Sequence, residues 1–361
     1  MRILCRYKPC GPSFVLNGWA RVFQALGHQW VFHDERQPLH DLFASPVDLY
    51  LGTTYDVDRP LVHCLERQPA CKVVLYASAW GDLPARIDPR EFPIDRVQPR
   101  EKALMGLLRE RTGKPDLVWL HLADKRVESI LGGWRQIGCQ PVGLLNAADT
   151  FSYWGGQHDP ELACDVAFLG GYWKYKARSL DPYLLPLCHP DHPARLRIKI
   201  WGNQPWPVSQ YLGFLPESRA RDVFASALVC PNISEPHSQK LGYDLIERPF
   251  KVFCAGGFCV SDRVEDFQTE VFTAGEMPAL DDPTTFQDAL IHFVRHPEER
   301  QGYIQEAQRT ILAGHTYWHR VEKLLRTLNL PAEAENCRRG YEQWVQTHAL
   351  TLLTPEDLRW S

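Results

Sequence analysis

The residues best suited to chemistry fall in three short runs of the second half of the chain. Gly170-Gly171-Tyr172 is followed at once by Lys174, Lys176 and Arg178. Paired glycines let a backbone approach a phosphate closely, and clustered cations can neutralise it. A tight strand-to-helix turn carrying solvated lysines is the plain structural alternative. The second run, Pro231-Asn232-Ile233-Ser234-Glu235, follows an apolar stretch ending at Cys230. Its carboxylate therefore falls at a strand end, where open α/β sheets bind ligands; a polar loop of Asn, Ser and Pro is the alternative. The third, Glu247 to Val260, sets Arg248 and Lys251 ahead of Ala255-Gly256-Gly257. Both cations suit a diphosphate, although Lys251 also stands at i,i+4 from Glu247 and can simply pair with it.

The first half carries weaker signals. Gly11, Ser13 and Asn17 lie in or beside a polar loop after the first strand, without G-x-G-x-x-G spacing, which argues against a dinucleotide site. Asp34, Asp56, His121 and Asp149 fall near expected strand ends, and nothing ranks them as a general base. Trp173, Trp201 and Trp206 can stack on a sugar or base, or serve as packing. Cys188, His189, Asp191 and His192 crowd together, but the segment is Pro-broken and reads as a surface loop, so no metal is expected.

These residues need strands and helices to position them. Short apolar runs alternate with helical patterns, as in a parallel α/β sheet. Expected strands are Arg2 to Leu4, Trp30 to His33, Asp48 to Leu51, Val73 to Tyr76, Leu117 to Leu120 and Val142 to Leu145. Helices are expected over Glu101 to Arg111 and Asp124 to Gln136, and Gly27 fits a helix C-terminal cap. From Asn146 to Cys164 the pattern breaks, which marks an interdomain crossing. A second α/β unit opens with Val166 to Leu169 and continues through Ile198 to Trp201, Ala227 to Cys230 and Phe258 to Ser261. Thr284 and Gln287 form a capping-box pattern, Pro297 opens another helix, and a last one runs past Pro331 through Tyr341 and Trp344.

At 361 residues the chain is long enough for two domains, and its net charge of -4 advertises neither nucleic acid nor an anionic membrane. It has no apolar run near the ~20 residues a bilayer span needs, and no leader is expected before the first strand. Eleven cysteines without a framework spacing read as reduced thiols. A cytoplasmic protein is expected.

The run ERPFKVFCAGGFCV, with DDPTTFQDAL, HPEER and HTYWHR downstream, resembles the C-terminal half of GT-B glycosyltransferases, specifically the CgeB-like (spore-maturation type) group. The resemblance covers roughly the last half of the chain. It implies an α/β fold of two Rossmann-like domains facing across a cleft, with a final helix crossing back to the first. Residues 1–150 would form the acceptor-side domain, 151–335 the nucleotide-sugar-binding domain, and 336–361 the returning helical segment. It implies a metal-independent glycosyltransferase without a cofactor, taking a nucleotide-diphosphate sugar, UDP-sugar favoured, as co-substrate. The acceptor stays open among a glycan, a protein, a small molecule and a hydroxymethylated DNA base.

The implied catalytic residues are Glu235, Arg178 and Lys251. Gly170, Gly171, Tyr172, Lys174, Asn232, Ser234, His237, Tyr243, Asp244 and Arg248, with Gly11 and Ser13 from the first domain, would bind the nucleotide sugar. Two positions depart from the pattern. Asn232 replaces a serine, and Lys251 stands where many relatives carry the glutamate that holds the ribose. Lysine cannot accept hydrogen bonds from ribose hydroxyls but can contact a diphosphate. A nucleotide-sugar epimerase of the same fold and a non-catalytic nucleotide-sugar binder are the rival readings.

Overall fold

The computed structural model describes residues 1–6, 12–33, 37–54, 57–77 and 117–349. The chain divides into two units, Met1–Leu145 with Trp318–Thr347, and Asn146–Tyr317 with the piece beginning at His348. The first unit thus ends a few residues before 150, and the chain returns to it at Trp318, well ahead of 336. The expected helix over 101–111 lies outside the described residues.

Among the described residues the first unit is built on a six-stranded sheet of order β2-β1-β3-β4-β5-β6, formed by Arg2–Arg6 (β1), Gln29–His33 (β2), Leu49–Thr53 (β3), Lys72–Tyr76 (β4), Leu117–Leu120 (β5) and Gln140–Gly143 (β6). All its pairings are parallel. Every residue of β3 and β5 is buried, as expected when helices cover both faces of a parallel sheet. The helix Pro12–Ala25 packs Trp19 on Trp119 of β5 with ring centroids 4.7 Å apart. Gly27 follows it at φ 80°, a left-handed turn that glycine adopts without penalty. The helix Pro331–His348 belongs here too. A Cβ on Gly340 would sit 3.0 Å from the Trp318 ring and 3.1 Å from Leu26, so the missing side chain allows close packing.

The second unit carries a five-stranded sheet of order β11-β10-β9-β7-β8, from Cys164–Leu169 (β7), Ile198–Trp201 (β8), Ala227–Asn232 (β9), Cys259–Asp262 (β10) and Ala279–Leu280 (β11). It is also wholly parallel. Phe168, Val229, Phe258 and Val260 meet Phe286, Leu290 and Phe293 of the helix Pro283–Arg295 in its core. Each such buried side chain contributes about 1.5–3 kcal/mol. The helix Arg248–Cys254 is buried at Phe250, Val252 and Phe253. Behind it Gly256 is left-handed at φ 84°, and a Cβ on Gly257 would come within 2.3 Å of the Phe224 carbonyl oxygen. These two glycines turn the helix straight into β10.

Local expectations differ from the structure in three places. Asp282, not Thr284, caps the helix Pro283–Arg295, accepting from the Thr284 and Thr285 amides at 2.9 and 3.0 Å. The helix from Asp124 stops at Leu131 and tightens into a 3-10 turn over Gly132–Ile137, where two glycines weaken the helix. β6 begins at Gln140, earlier than the apolar run alone indicates. Among the described residues no helix is long and apolar enough to cross a membrane.

Candidate active site

In a parallel sheet all carboxyl ends lie along one edge, and β9 stands between β7 and β10. The residues leaving these three strands are therefore neighbours. β7 ends at Leu169 and turns through Gly170 and Gly171 into the helix Lys174–Tyr183. The turn is pressed against Gly202, where a Cβ would stand 2.3 Å from the Gly170 carbonyl oxygen and 2.9 Å from the Gly171 nitrogen. Only glycine lets the two segments pass so closely. Trp206 donates its indole N–H to the Gly170 carbonyl at 2.8 Å and holds the turn from the other side.

Arg248, at the start of its helix, ties β7 to β9. Its Nη2 donates to the Leu169 carbonyl at 2.8 Å, and its Nη1 approaches Asn232 Oδ1 at 3.4 Å. The guanidinium lies 4.2 Å from the Phe168 ring centroid, a cation–π contact. Burial pulls its pKa below the ordinary arginine value, while Asp262 and Glu235 among its neighbours favour the charge. Asn232 completes the tie by donating from Nδ2 to Ser261 Oγ at 2.8 Å.

Asp262, the last residue of β10, anchors the turn after β9. Its buried carboxylate accepts from the Ser234 amide at 2.8 Å, from Ser234 Oγ at 2.9 Å and from Gln239 Nε2 at 2.7 Å. Burial pushes its carboxyl pKa up, and the bonds from Gln239 and Ser234 oppose that rise. The turn carries Glu235 to a fixed place, with Oε1 3.3 Å from Lys176 Nζ. Both side chains of this pair are only 7% exposed, and Glu235 Oε2 is buried without a hydrogen-bond partner. Lys176 also sits 5.2 Å from the ring centroid of Trp173. Burial pulls the lysine pKa down, and Glu235 partly restores it.

A second buried group stands next to this pair. His237 Nε2 lies 2.8 Å from Asp244 Oδ2, and its Nδ1 lies 3.1 Å from the Tyr175 hydroxyl oxygen. The His237 amide in turn donates to the Tyr175 oxygen at 3.1 Å. Burial raises the Tyr175 phenol to about 12, so it keeps its proton at neutral pH. Asp244 holds its carboxylate there from a left-handed backbone, φ 63°.

The structure brings together Gly170, Gly171, Asn232, Ser234, Glu235 and Arg248 of the residues expected from sequence. His237 and Asp244 stand beside them, and the remaining ones do not join the group. Arg178 and Lys174 are exposed on the helix Lys174–Tyr183, whereas Lys176 faces the sheet. Tyr172 donates to Asp181 at 2.7 Å and leans on Trp206. Tyr243 is buried. Lys251 is engaged by Glu247 at 2.8 Å and lies over the Tyr153 ring at 5.1 Å. Burial lowers its pKa, yet Glu247 and Tyr153 outweigh this and raise it above the ordinary lysine value. Gly11 lies outside the described residues, as do Asp34 and Asp56, and Ser13 falls in the helix Pro12–Ala25. Asp149 caps the short helix Thr150–Tyr153 through the Phe151 and Ser152 amides.

Sequence reading took Lys176 only as one of three clustered cations and did not name Asp262 as a site residue. Lys176, Leu180 and Tyr183 stand at i, i+4 and i+7, so the lysine lies on the apolar stripe of its helix, a signal of burial. Asp262 closes the strand Cys259–Asp262, which marks a carboxylate at a strand's carboxyl end.

Residues 186–326 match the family described as glycosyl transferase-like, a stretch that includes Glu235, Arg248 and Asp262 but not β7 or Lys176. No curated protein matches the chain in sequence. Among solved structures, an α-glucosyltransferase in complex with UDP and a 13-mer DNA containing an HMU base superposes with a TM-score of 0.61 at 11% identity, over 91% of this chain and 99% of that one. Sucrose-phosphate synthase from Thermosynechococcus elongatus gives 0.56 at 9% identity, over 96% and 100%. Anabaena HepE in complex with UDP gives 0.54 at 11% identity, over 91% and 99%. The chain therefore has the GT-B glycosyltransferase fold, an α/β architecture of two parallel-sheet units. Within it, Pro186 to Arg326 is the stretch similar to the glycosyl transferase-like family.

Proposed function

We propose that this protein is a glycosyltransferase, in the CgeB-like group, that moves a sugar from a nucleoside-diphosphate sugar to an acceptor hydroxyl. One observation carries the reading. Lys176, Arg248 and the carboxylate Glu235, with a free buried oxygen, gather where the Gly170-Gly171 turn leaves β7. Cations beside a glycine turn suit a diphosphate, and an acceptor-only carboxylate suits sugar hydroxyls.

In the transfer, the bond from the sugar's anomeric carbon to the diphosphate oxygen breaks and a bond to the acceptor oxygen forms. The leaving oxygen takes the electron pair, and the proton of the acceptor hydroxyl passes to the departing diphosphate. Lys176 and Arg248 stabilise the charge growing on the diphosphate, held in place before the reaction begins. Glu235 orients the sugar through its hydroxyls, while Asp262, Asn232 and Ser234 hold the turn that presents it. These two cations supply the neutralisation without a metal ion in this reading. The tertiary likeness to an α-glucosyltransferase and to HepE, both in complex with UDP, supports a UDP-sugar as donor. The first unit then serves the acceptor, and the enzyme works in the cytoplasm. The complex of the α-glucosyltransferase with DNA keeps a modified DNA base among the acceptors to test.

A thermal-shift panel of nucleotide sugars and free nucleotides tests the reading. A ligand at ~100-fold over its Kd stabilises the folded chain by about 2.7 kcal/mol. A shift with one nucleoside diphosphate and its sugars is expected, and no shift with any of them overturns the proposal.

A further inference from the structure

Lys176 and Glu235 form an ion pair that is complete on neither side. Lys176 has three N–H donors, and its contacts are the single carboxylate oxygen Oε1 at 3.3 Å and the face of Trp173. Glu235 has a second oxygen, buried and unbonded. A buried acceptor without a partner costs about 1–3 kcal/mol. The site thus holds unused donors and an unused acceptor side by side. Arg248 differs: it is fixed by Leu169, by Asn232 and by the Phe168 ring. A lysine is a point charge on a flexible four-carbon stem and can move to a new anion. Trp173, which lies over Lys176, is 42% exposed, so the lysine is screened from solvent by a ring at the surface.

We propose that the Lys176–Glu235 pair is the resting form of a donor-operated switch: an arriving diphosphate draws the ammonium off Glu235, and the carboxylate so released accepts the hydroxyl hydrogens of the sugar. The switch rests on the sugar-transfer reading above and adds an order of events to it. In the resting state Glu235 is neutralised and recognises sugar poorly. Once the phosphates hold Lys176, both carboxylate oxygens are open to hydroxyl donors. Glu235 and the diphosphate then compete for one cation. Sugar recognition becomes conditional on the diphosphate, and the coupling is reciprocal.

The competition gives an unusual expectation for Glu235→Gln, an isosteric change that removes the competing anion. The probes are UDP, GDP and ADP, none of which carries a sugar, with binding measured by calorimetry on the full chain. The diphosphate that wild type binds best should bind Glu235→Gln more tightly, by about tenfold, equivalent to ~1.4 kcal/mol. Equal or weaker binding by a folded Glu235→Gln overturns the switch while leaving donor binding intact. Failure of wild type to bind any of the three removes the sugar-transfer reading, and the switch with it. The double change Lys176→Met/Glu235→Gln leaves no buried charge in the pair, so it guards against misfolding. It should lose the gain and bind less tightly than wild type, and a retained gain refutes the role of Lys176. A nucleotide-sugar panel reads the sugar half. Wild type should bind the best sugar conjugate more tightly than its free diphosphate, and Glu235→Gln should lose that advantage. An advantage kept by the variant, or absent from wild type, refutes the release of Glu235 to the sugar.

Discussion

Lys251→Met separates a phosphate ligand from a structural cation. The Lys251 ammonium lies 2.8 Å from Glu247 Oε2, and the two side chains are 15% and 12% exposed. Glu247 also accepts from the Tyr317 hydroxyl at 2.7 Å, so the pair links the start of the helix Arg248–Cys254 to Tyr317. Removing one member of a fully buried pair costs about 3–5 kcal/mol, because the other charge is stranded. Here methionine keeps the apolar stem, Glu247 keeps its tyrosine, and some solvent reaches the pair. These reduce the expected loss to about 2–3 kcal/mol. Urea denaturation should show a lower midpoint with the slope unchanged. UDP affinity of the folded variant should stay within about twofold of wild type, less than the tenfold that ~1.4 kcal/mol represents. A tenfold loss of UDP affinity at an unchanged midpoint would refute this assignment and return Lys251 to the diphosphate.

Arg248→Met should weaken UDP binding by about tenfold or more and destabilise the fold by ~1–3 kcal/mol, since the Leu169 carbonyl loses its donor; unchanged UDP affinity in calorimetry would make the arginine purely structural. Gly202→Ala places a methyl 2.3 Å from the Gly170 oxygen, so the Gly170-Gly171 turn must shift. A loss of about 1–3 kcal/mol, read by thermal melting, and weaker UDP binding are expected. Asp262 contributes a pH dependence. Its folded pKa is raised above 3.8, so the folded chain takes up this proton more readily than the unfolded one. Its contribution to stability therefore falls as pH rises from about 3.8 through the raised value. Asp262→Asn should remove that slope, and denaturation curves across the acid range that keep it would assign the slope elsewhere.

Much of the scaffold was legible in the chain. The apolar runs that became β3 and β5 need no partner to be recognised, because strands buried on both faces show their hydrophobicity continuously. Gly27 marked a helix end, since a left-handed residue is a local requirement. Caps were less certain. Asp282 displaced Thr284 because a cap depends on which side chain reaches the free amides, a matter of one residue.

The sequence by itself therefore determined two parallel α/β units and the strand ends at which Glu235, Arg248 and the Gly170-Gly171 turn emerge. It also set Lys174, Lys176 and Arg178 on one helix. Only the tertiary structure decided which lysine counts. Successive helical residues are rotated by ~100°, so Lys174 and Arg178 share a face while Lys176 points almost opposite. Packing against the sheet then buries Lys176 and leaves the other two in water. The same holds for Glu235 and Asp262. They are 27 residues apart in sequence, and the adjacency of β9 and β10 is what brings Asp262 to Ser234. Charge, size and periodicity are local properties, whereas desolvation and pairing across strands exist only once the sheet has formed.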